Sequence, residues 1–219
     1  MSTKNSPPEP SGSRNIYAFG ITSFFNDTAT EMAYWVLPAF LTSLGAGPEQ
    51  LGLIEGIAES VASLAKLFSG YVADRLDRRK PLVVGGYFVA NGVKPLLALA
   101  GTWWHVLLIR FSDRLAKGVR GAPRDVMVAE SVGREKLGAA YGLIQSLDSA
   151  GAIAGPLAAL ALLRYGIRNV FWAAAVPGAL AILVAVFGVR EKKDPQLPQT
   201  TREVWRQISK SKGSSGSLP

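Results

Sequence analysis

Residues 110–125 read R-F-S-D-R-L-A-K-G-V-R-G-A-P-R-D, and the direction in which this stretch faces decides the fold. An apolar run, residues 103–109, precedes it, and Val126-Met127-Val128-Ala129 follows. At ~3.6 residues per helical turn, Arg110, Arg114, Lys117, Gly121 and Arg124 share one face. Asp113 stands one turn before Lys117, and Arg120 borders the stripe. A charge run on a helix ordinarily faces water. This one lies among segments whose apolar length belongs in a lipid bilayer.

The chain is 48% hydrophobic, and its long apolar segments place it in the membrane class. It has no cysteine, which excludes disulfides and thiolate metal sites. The single histidine, His105, gives no basis for a zinc site, and its place beside Trp103 and Trp104 reads as interfacial. No metal or cofactor is expected. A net charge of +8 would suit nucleic acid in a soluble chain. In a membrane protein it reads as cytoplasmic loops rich in Lys and Arg, so nucleic acid is not an expected partner. Residues 1–14 are polar, show no signal-peptide pattern and are expected to be disordered.

Residues 16–43 are long enough to cross a bilayer core, which takes ~20 apolar residues, yet they contain Asn26, Asp27 and Glu31. Gly45-Ala46-Gly47-Pro48 marks a turn. Residues 51–73 form a second stretch, with Glu55, Glu59 and Lys66 at helical spacing. Residues 74–80, D-R-L-D-R-R-K, are a tight charged loop, and residues 81–101 are apolar apart from Lys94. Two more stretches cover 137–163 and 169–188, and the chain is polar and basic from Arg190. Apolarity alone supports the second, third, fifth and sixth spans.

Topology supplies the others. Arg75, Arg78, Arg79 and Lys80 place the loop after the second span in the cytoplasm, and the basic tail belongs there too. The third span must then end outside, at Trp103-Trp104, and the fifth must start inside, near Arg134 and Lys136. The chain therefore crosses between 103 and 136 and takes the basic stripe with it. The reading is an all-α protein of the cell membrane with six transmembrane helices and both termini cytoplasmic. Its parts are a tail at 1–14, a bundle at 15–190 and a basic tail at 191–219.

Each ionised group at mid-membrane on a lone helix costs ~2.5–3.5 kcal/mol, so these charges must face protein, water or one another. Carboxylates are at hand: Asp27 and Glu31 on the first span, Glu55 and Glu59 on the second, and Asp148 on the fifth. Counted from the outer boundary, Glu59 and Lys94 come at similar depth and are expected to pair. The bland alternative is that all of these charges are structural ion pairs.

The loop from Gly70 to Lys80, G-Y-V-A-D-R-L-D-R-R-K, resembles the major facilitator superfamily signature G-x-x-x-D-R-x-G-R-R/K. Gly70, Asp74, Arg75, Arg78 and Arg79 match it, while Asp77 replaces the turn glycine. Arg114-Leu-Ala-Lys117-Gly118 is similar to the fourth-helix R-x-x-Q-G, with Lys117 for Gln. Gly151-Ala-Ile-Ala-Gly155-Pro156 is similar to the fifth-helix G-x-x-x-G-P of proton-coupled antiporters, without its later glycines. Asp27 with Pro38 also suits the family's first span.

The resemblance covers residues 16–190 and implies the N-terminal six-helix bundle of a secondary transporter, built as two inverted three-helix repeats. Arg75-Leu-Asp-Arg-Arg79 and Arg164-Tyr-Gly-Ile-Arg168 echo such a repeat. The implied function is alternating-access movement of a small solute, as proton-coupled efflux or antiport. Asp27, Glu31, Arg110, Arg114, Lys117 and Asp148 would line the substrate and proton cavity, with Arg114 tuning a nearby carboxylate. Asp74, Arg75, Arg78 and Arg79 would form a cytoplasmic gating latch, and Gly151, Gly155 and Pro156 would permit close packing and bending.

The surplus of cations in the fourth span suits an anionic solute equally well. The expected partners are a small-molecule substrate, protons, membrane lipid and either a second six-helix half or a second copy. The alternative from another class is a non-transporting, half-length membrane subunit or scaffold whose basic tail binds anionic lipid. An enzyme is not expected: no paired-carboxylate metal motif, nucleophile elbow or histidine cluster is visible.

Overall fold

The computed structural model of the protein describes residues 10–73 and 78–191. Its elements, in order, are α1 (Pro10–Ser43), α2 (Pro48–Ala73) and α3 (Lys80–Val93), which runs on as a 3-10 helix, Lys94–Leu99. Then come α4 (Trp103–Ser131), a 3-10 turn (Arg134–Lys136), α5 (Leu137–Leu163), α6 (Ile167–Ala173) and α7 (Ala175–Gly188). The last two make one span, so the described residues form six helical rods.

Local chemistry sets the breaks. Gly45 and Gly166 adopt φ of 75° and 103°, which glycine reaches without a Cβ clash, and they turn the chain between rods. Pro95 cannot donate to the carbonyl of residue 91, and the α-helix gives way to 3-10 geometry at Lys94. α1 begins at Pro10, within the segment expected to be disordered, because proline is tolerated in a first helical turn. Residues 1–9, the loop residues 74–77 and the basic tail from 192 lie outside the described residues.

Among the described residues, only Lys80–Leu99, Arg134–Leu163 and Ile167–Gly188 are long and apolar enough to qualify as spans by composition alone. The second rod, expected to qualify, does not. Glu55, Glu59 and Lys66 lower its apolarity, and it is held in the bundle through its partners instead.

Packing follows the repeat. α1 packs most extensively on α5, and α2 on α4; next come α3 on α4 and α7 on α1. Exchanging the first, second and third rods for the fourth, fifth and sixth turns each pair in these two sets into the other. The bundle is thus two three-helix repeats of opposite direction, as the resemblance implied. Side chains at the rod ends obey the same exchange. Lys80, opening the third rod, donates to the Val186 carbonyl near the end of the sixth at 2.7 Å. Arg168, opening the sixth, donates to the Ala98 and Ala100 carbonyls at the end of the third, at 2.6 and 3.2 Å. Each cation satisfies carbonyls left over where the other helix stops.

Two apolar clusters occupy the two ends. One holds Ile16, Phe19, Val83, Tyr87, Val128, Ile144 and Ala185 near the Arg79 end. The other holds Leu37, Phe40, Ile54, Leu97, Val106 and Phe171 near the Trp103 end. Buried polar and charged residues lie between them: Asn26, Asn91, Lys94, Arg110, Asp113, Arg114 and Arg120. The molecule is therefore a charged belt between two apolar caps.

Small residues bring the rods into contact. A Cβ on Gly155 would lie 2.7 Å from the Glu31 Cβ and 2.8 Å from the Thr28 carbonyl, and one on Gly151 would strike the Phe24 carbonyl. On α4, a Cβ on Gly118 would lie 2.5 Å from the Ala62 carbonyl of α2. The fifth-helix motif thus sets the α1–α5 distance. Gly155→Val is expected to force the rods apart and cost about 1–3 kcal/mol, read as a lower unfolding temperature of the purified protein in detergent; an unchanged unfolding temperature would contradict the close contact.

Candidate functional site

The belt is organised by Arg110 on α4. Its guanidinium grips Glu55 of α2 with Nε to Oε1 at 3.1 Å, Nη2 to Oε1 at 3.0 Å and Nη2 to Oε2 at 3.0 Å. The planar guanidinium fork matches a carboxylate in this way, which is why Arg suits the position better than Lys. The same guanidinium lies 3.8 Å from the Tyr34 ring centroid. Tyr34 on α1 donates its hydroxyl proton to Glu55 Oε2 and accepts from Arg114 Nη2 at 2.5 Å. Arg114 also pairs with Glu59 of α2 at 3.1 Å.

One turn into the bundle, Arg110 Nη1 lies 3.5 Å from Asp113 Oδ2, and Asp113 Oδ1 lies 3.5 Å from Lys94 Nζ. Lys94 and Asp113 are 4% and 5% exposed, so this pair is sealed between α3 and α4. Arg120, also buried, stacks its guanidinium 4.2 Å from the Tyr87 ring and donates to the Gly86 carbonyl. A Cβ on Gly86 would lie 2.6 Å from the Arg120 Cβ, so the absence of a side chain there makes room for the arginine.

Beside the belt is a polar cavity of about 300 Å3. Asp27 of α1, Glu59 and Lys66 of α2, Lys117 and Arg124 of α4, and Asp148 of α5 all reach it. Asp27 and Asp148 line the same cavity, and Gln145 Nε2 donates to Asp148 at 3.4 Å. Lys66 and Arg124 both approach Asp125, at 3.8 and 3.5 Å. Among the described residues, no carboxylate lies within ion-pair distance of Lys117. The side chains of Glu59 and Lys66 are 61% and 62% exposed, so this flank of the cavity is not closed by the described residues.

The expected site residues divide. Asp27, Lys117 and Asp148 meet at the cavity, and Arg110 and Arg114 stand next to it in the belt. Glu31 lies one turn from Asp27, half-buried, where its charge interacts with those of Arg110, Arg114 and Lys117. The carboxylate paired with Arg114 is Glu59. The expected Glu59–Lys94 pair does not form: Glu59 meets Arg114, and Lys94 meets Asp113. Rotation about the helix axes turns Glu59 to the cavity and Lys94 to the contact between the third rod and α4.

Of the gating loop, Asp74 and Arg75 lie outside the described residues. Gly70 faces Ala122 of α4, and Arg78 is exposed. Arg79 donates to the Ala73 carbonyl at 3.2 Å and pairs with Glu130 of α4 at 2.6 Å, while its backbone N–H donates to Glu191. His105 sits at the start of α4, 2.9 Å from Thr102 Oγ1, beside the stacked Trp103 and Trp104 rings.

Sequence reasoning missed Tyr34, which carries no signal in an apolar first span. It also missed Asn91, for which the one available signal is an amide inside an otherwise apolar third span. Arg120 was noted only as a border residue.

A helical membrane bundle that turns paired and unpaired charges into an internal cavity is built like one half of a transporter. The family model of the Major Facilitator Superfamily matches residues 19–217, and the chain belongs to that superfamily. It is 35% identical over 204 residues to an uncharacterised MFS-type transporter of Methanocaldococcus jannaschii, covering 92% of this chain and 51% of that protein. It is 30% identical over 202 residues to the multidrug resistance protein MdtG of Escherichia coli O81, covering 89% of this chain and 49% of that one. Among solved structures, a bacterial homologue of the human lysosomal transporter Spinster, inward-facing and unoccupied, matches with a TM-score of 0.71 at 17% identity, covering 92% of this chain and 50% of that one. The chain spans about half the length of the curated relatives it matches. This is an integral membrane protein of a transporter family, not of an enzyme family.

The Lys94–Asp113 pair yields a stability test. Lys94→Met leaves Asp113 with one fewer cation in a buried site and is expected to cost about 3–5 kcal/mol. The double variant Lys94→Met/Asp113→Leu is expected to recover much of that loss, as read by denaturant or thermal unfolding in detergent. A double variant no more stable than the single one would contradict the pairing.

Proposed function

We propose that this chain forms one wall of a secondary transporter that exports small solutes in exchange for protons, the opposite wall being a second six-helix half. The supporting observation is the convergence of ionisable groups from α1, α2, α4 and α5 on one polar cavity with an unclosed flank. Lipid cannot cover that flank, because each charge left against hydrocarbon costs several kcal/mol. A second bundle, encoded in the same polypeptide or supplied by another copy, would close it.

In this reading Asp27 carries the coupling proton. It lines the cavity together with Asp148, and like charges brought together in such a site are costly unless a proton or a cation offsets them. Movement that separates them, or that brings Lys117 closer, favours release. Arg114 acts through Tyr34 and Glu59, fixing α4 against α1 and α2 rather than touching Asp27 itself. The Arg79 end, with Arg79 joined to Glu130 and Glu191, is assigned to the cytoplasm, where basic loops accumulate. The similarity to MdtG supports efflux as the direction.

A second reading, carriage of an anionic solute, draws on Lys117, whose ammonium faces the cavity without an ionic partner among the described residues. The full chain in proteoliposomes separates the two. With an acid exterior, counterflow of a fluorescent organic cation is expected to accelerate with the imposed pH gradient. Asp27→Asn is expected to keep exchange but lose the response to pH, whereas acceleration equal to the unmodified protein would reject Asp27 as the coupling group. Loss of exchange in Lys117→Gln alone, with an organic anion as the probe, would favour the second reading.

A further inference from the structure

We propose that Lys94 sets the proton occupancy of Asp27 through a one-directional chain of hydrogen bonds carried by Asn91 and Asn26. Lys94 Nζ donates to Asn91 Oδ1 at 3.1 Å. Asn91 Nδ2 donates to Asn26 Oδ1 at 3.2 Å, and Asn26 Nδ2 donates to Asp27 Oδ1 at 2.9 Å. The chain thus runs from an ammonium on the third rod, through two amides, to a carboxyl on the first.

Its direction is dictated by its ends. An ammonium only donates, so Asn91 must turn its oxygen to Lys94 and its nitrogen to Asn26. An ionised carboxylate only accepts, so Asn26 must turn its nitrogen to Asp27. The second proton of Asn91 Nδ2 is held by the Tyr87 carbonyl at 2.9 Å, which leaves that amide no reason to flip. Lys94, Asn91 and Asn26 are 4%, 4% and 5% exposed, so the first two bonds are closed to water, and the last, from Asn26 to Asp27, ends at the cavity wall. Every dipole in the chain points the same way, and bonds in series polarise one another where the dielectric is low.

The fold makes room for this arrangement. A Cβ on Gly178 of α7 would lie 3.1 and 3.2 Å from the Asn91 Cβ and Oδ1, so the sixth rod is bare where the third presents its amide. Asp27 is otherwise faced by Asp148 from α5, Glu31 from its own helix, and Lys117 from α4. Glu59 and Lys66 stand across the cavity on α2, and Arg120 and Arg124 approach from α4. Lys117 is exposed, so cavity water screens its effect on Asp27; the chain from Lys94 is buried as far as Asn26. Lys94 is a positioning residue in this scheme, since it acts on Asp27 through other side chains.

The inference rests on the reading of Asp27 as the coupling carboxyl, and its test keeps the two apart. The measurement is an infrared pH titration of the protonated-carboxyl band in the full chain in lipid nanodiscs, with Asp27→Asn used to assign the Asp27 component. Asn91→Leu keeps the branched shape of the side chain and leaves Lys94 and Asp113 in place but cuts the chain. It is expected to raise the midpoint of the Asp27 component by roughly one pH unit, because the carboxylate loses a polarised donor. Asn91→Ala supplies the same comparison should the leucine variant misfold. A folded variant with an unmoved midpoint would overturn the relay while leaving Asp27 as the coupling group. A band that survives Asp27→Asn unchanged would overturn both.

Discussion

A charge inside a lipid bilayer must have a partner, and that constraint shapes this bundle. Arg110 meets it with a fork onto Glu55, and Lys94 meets it with Asp113. Each of these contacts joins different rods: α4 to α2, and the third rod to α4. The ionic belt therefore does the positioning that apolar packing cannot do in lipid, where tails compete equally for apolar side chains. The two apolar caps fix the ends, and small residues such as Gly118 and Gly155 let the rods approach closely enough for the charges to meet.

The division between belt and cavity separates sealed charge from charge that reaches a cavity. Arg110 and Asp113 are sealed and mutually satisfied, which is the bland outcome for intramembrane charge, while Lys94, equally sealed, also donates out of the belt to Asn91. Asp27, Lys117 and Asp148 differ, since they reach a cavity with an unclosed flank and keep capacity for further partners. The inverted repeat adds a second layer of order. Lys80 and Arg168 exchange helix-end contacts across it, and both lie at rod starts. This reciprocity ties the third and sixth rods together at both ends, away from the cavity.

Much of the fold was legible because topology constrains it. The Trp103-Trp104 pair and the basic residues Arg134 and Lys136 called for a crossing between them, and α4 spans that stretch, although its own apolarity does not announce it. The close-packing role of Gly151 and Gly155 was also legible, since a small-residue motif on a helix has few other uses. Partner choice among the charges was not. Sequence spacing gives depth along a rod but not the azimuth of one rod against another, and Glu59 and Lys94 turn to different partners. Tyr34 was invisible for the same reason: its role depends on which arginines come to face it.

The central claim is that α4, with its basic stripe, crosses the bilayer and faces inward. The chain has no cysteine, so single cysteines introduced at Thr102 and Gly133, the two flanks of α4, can be labelled without background. Applying a membrane-impermeant maleimide to oriented membrane vesicles from one side and then the other measures the arrangement directly. Labelling of the two positions from opposite compartments is the predicted result. Labelling of both from the same compartment would contradict the crossing and the inward-facing belt with it.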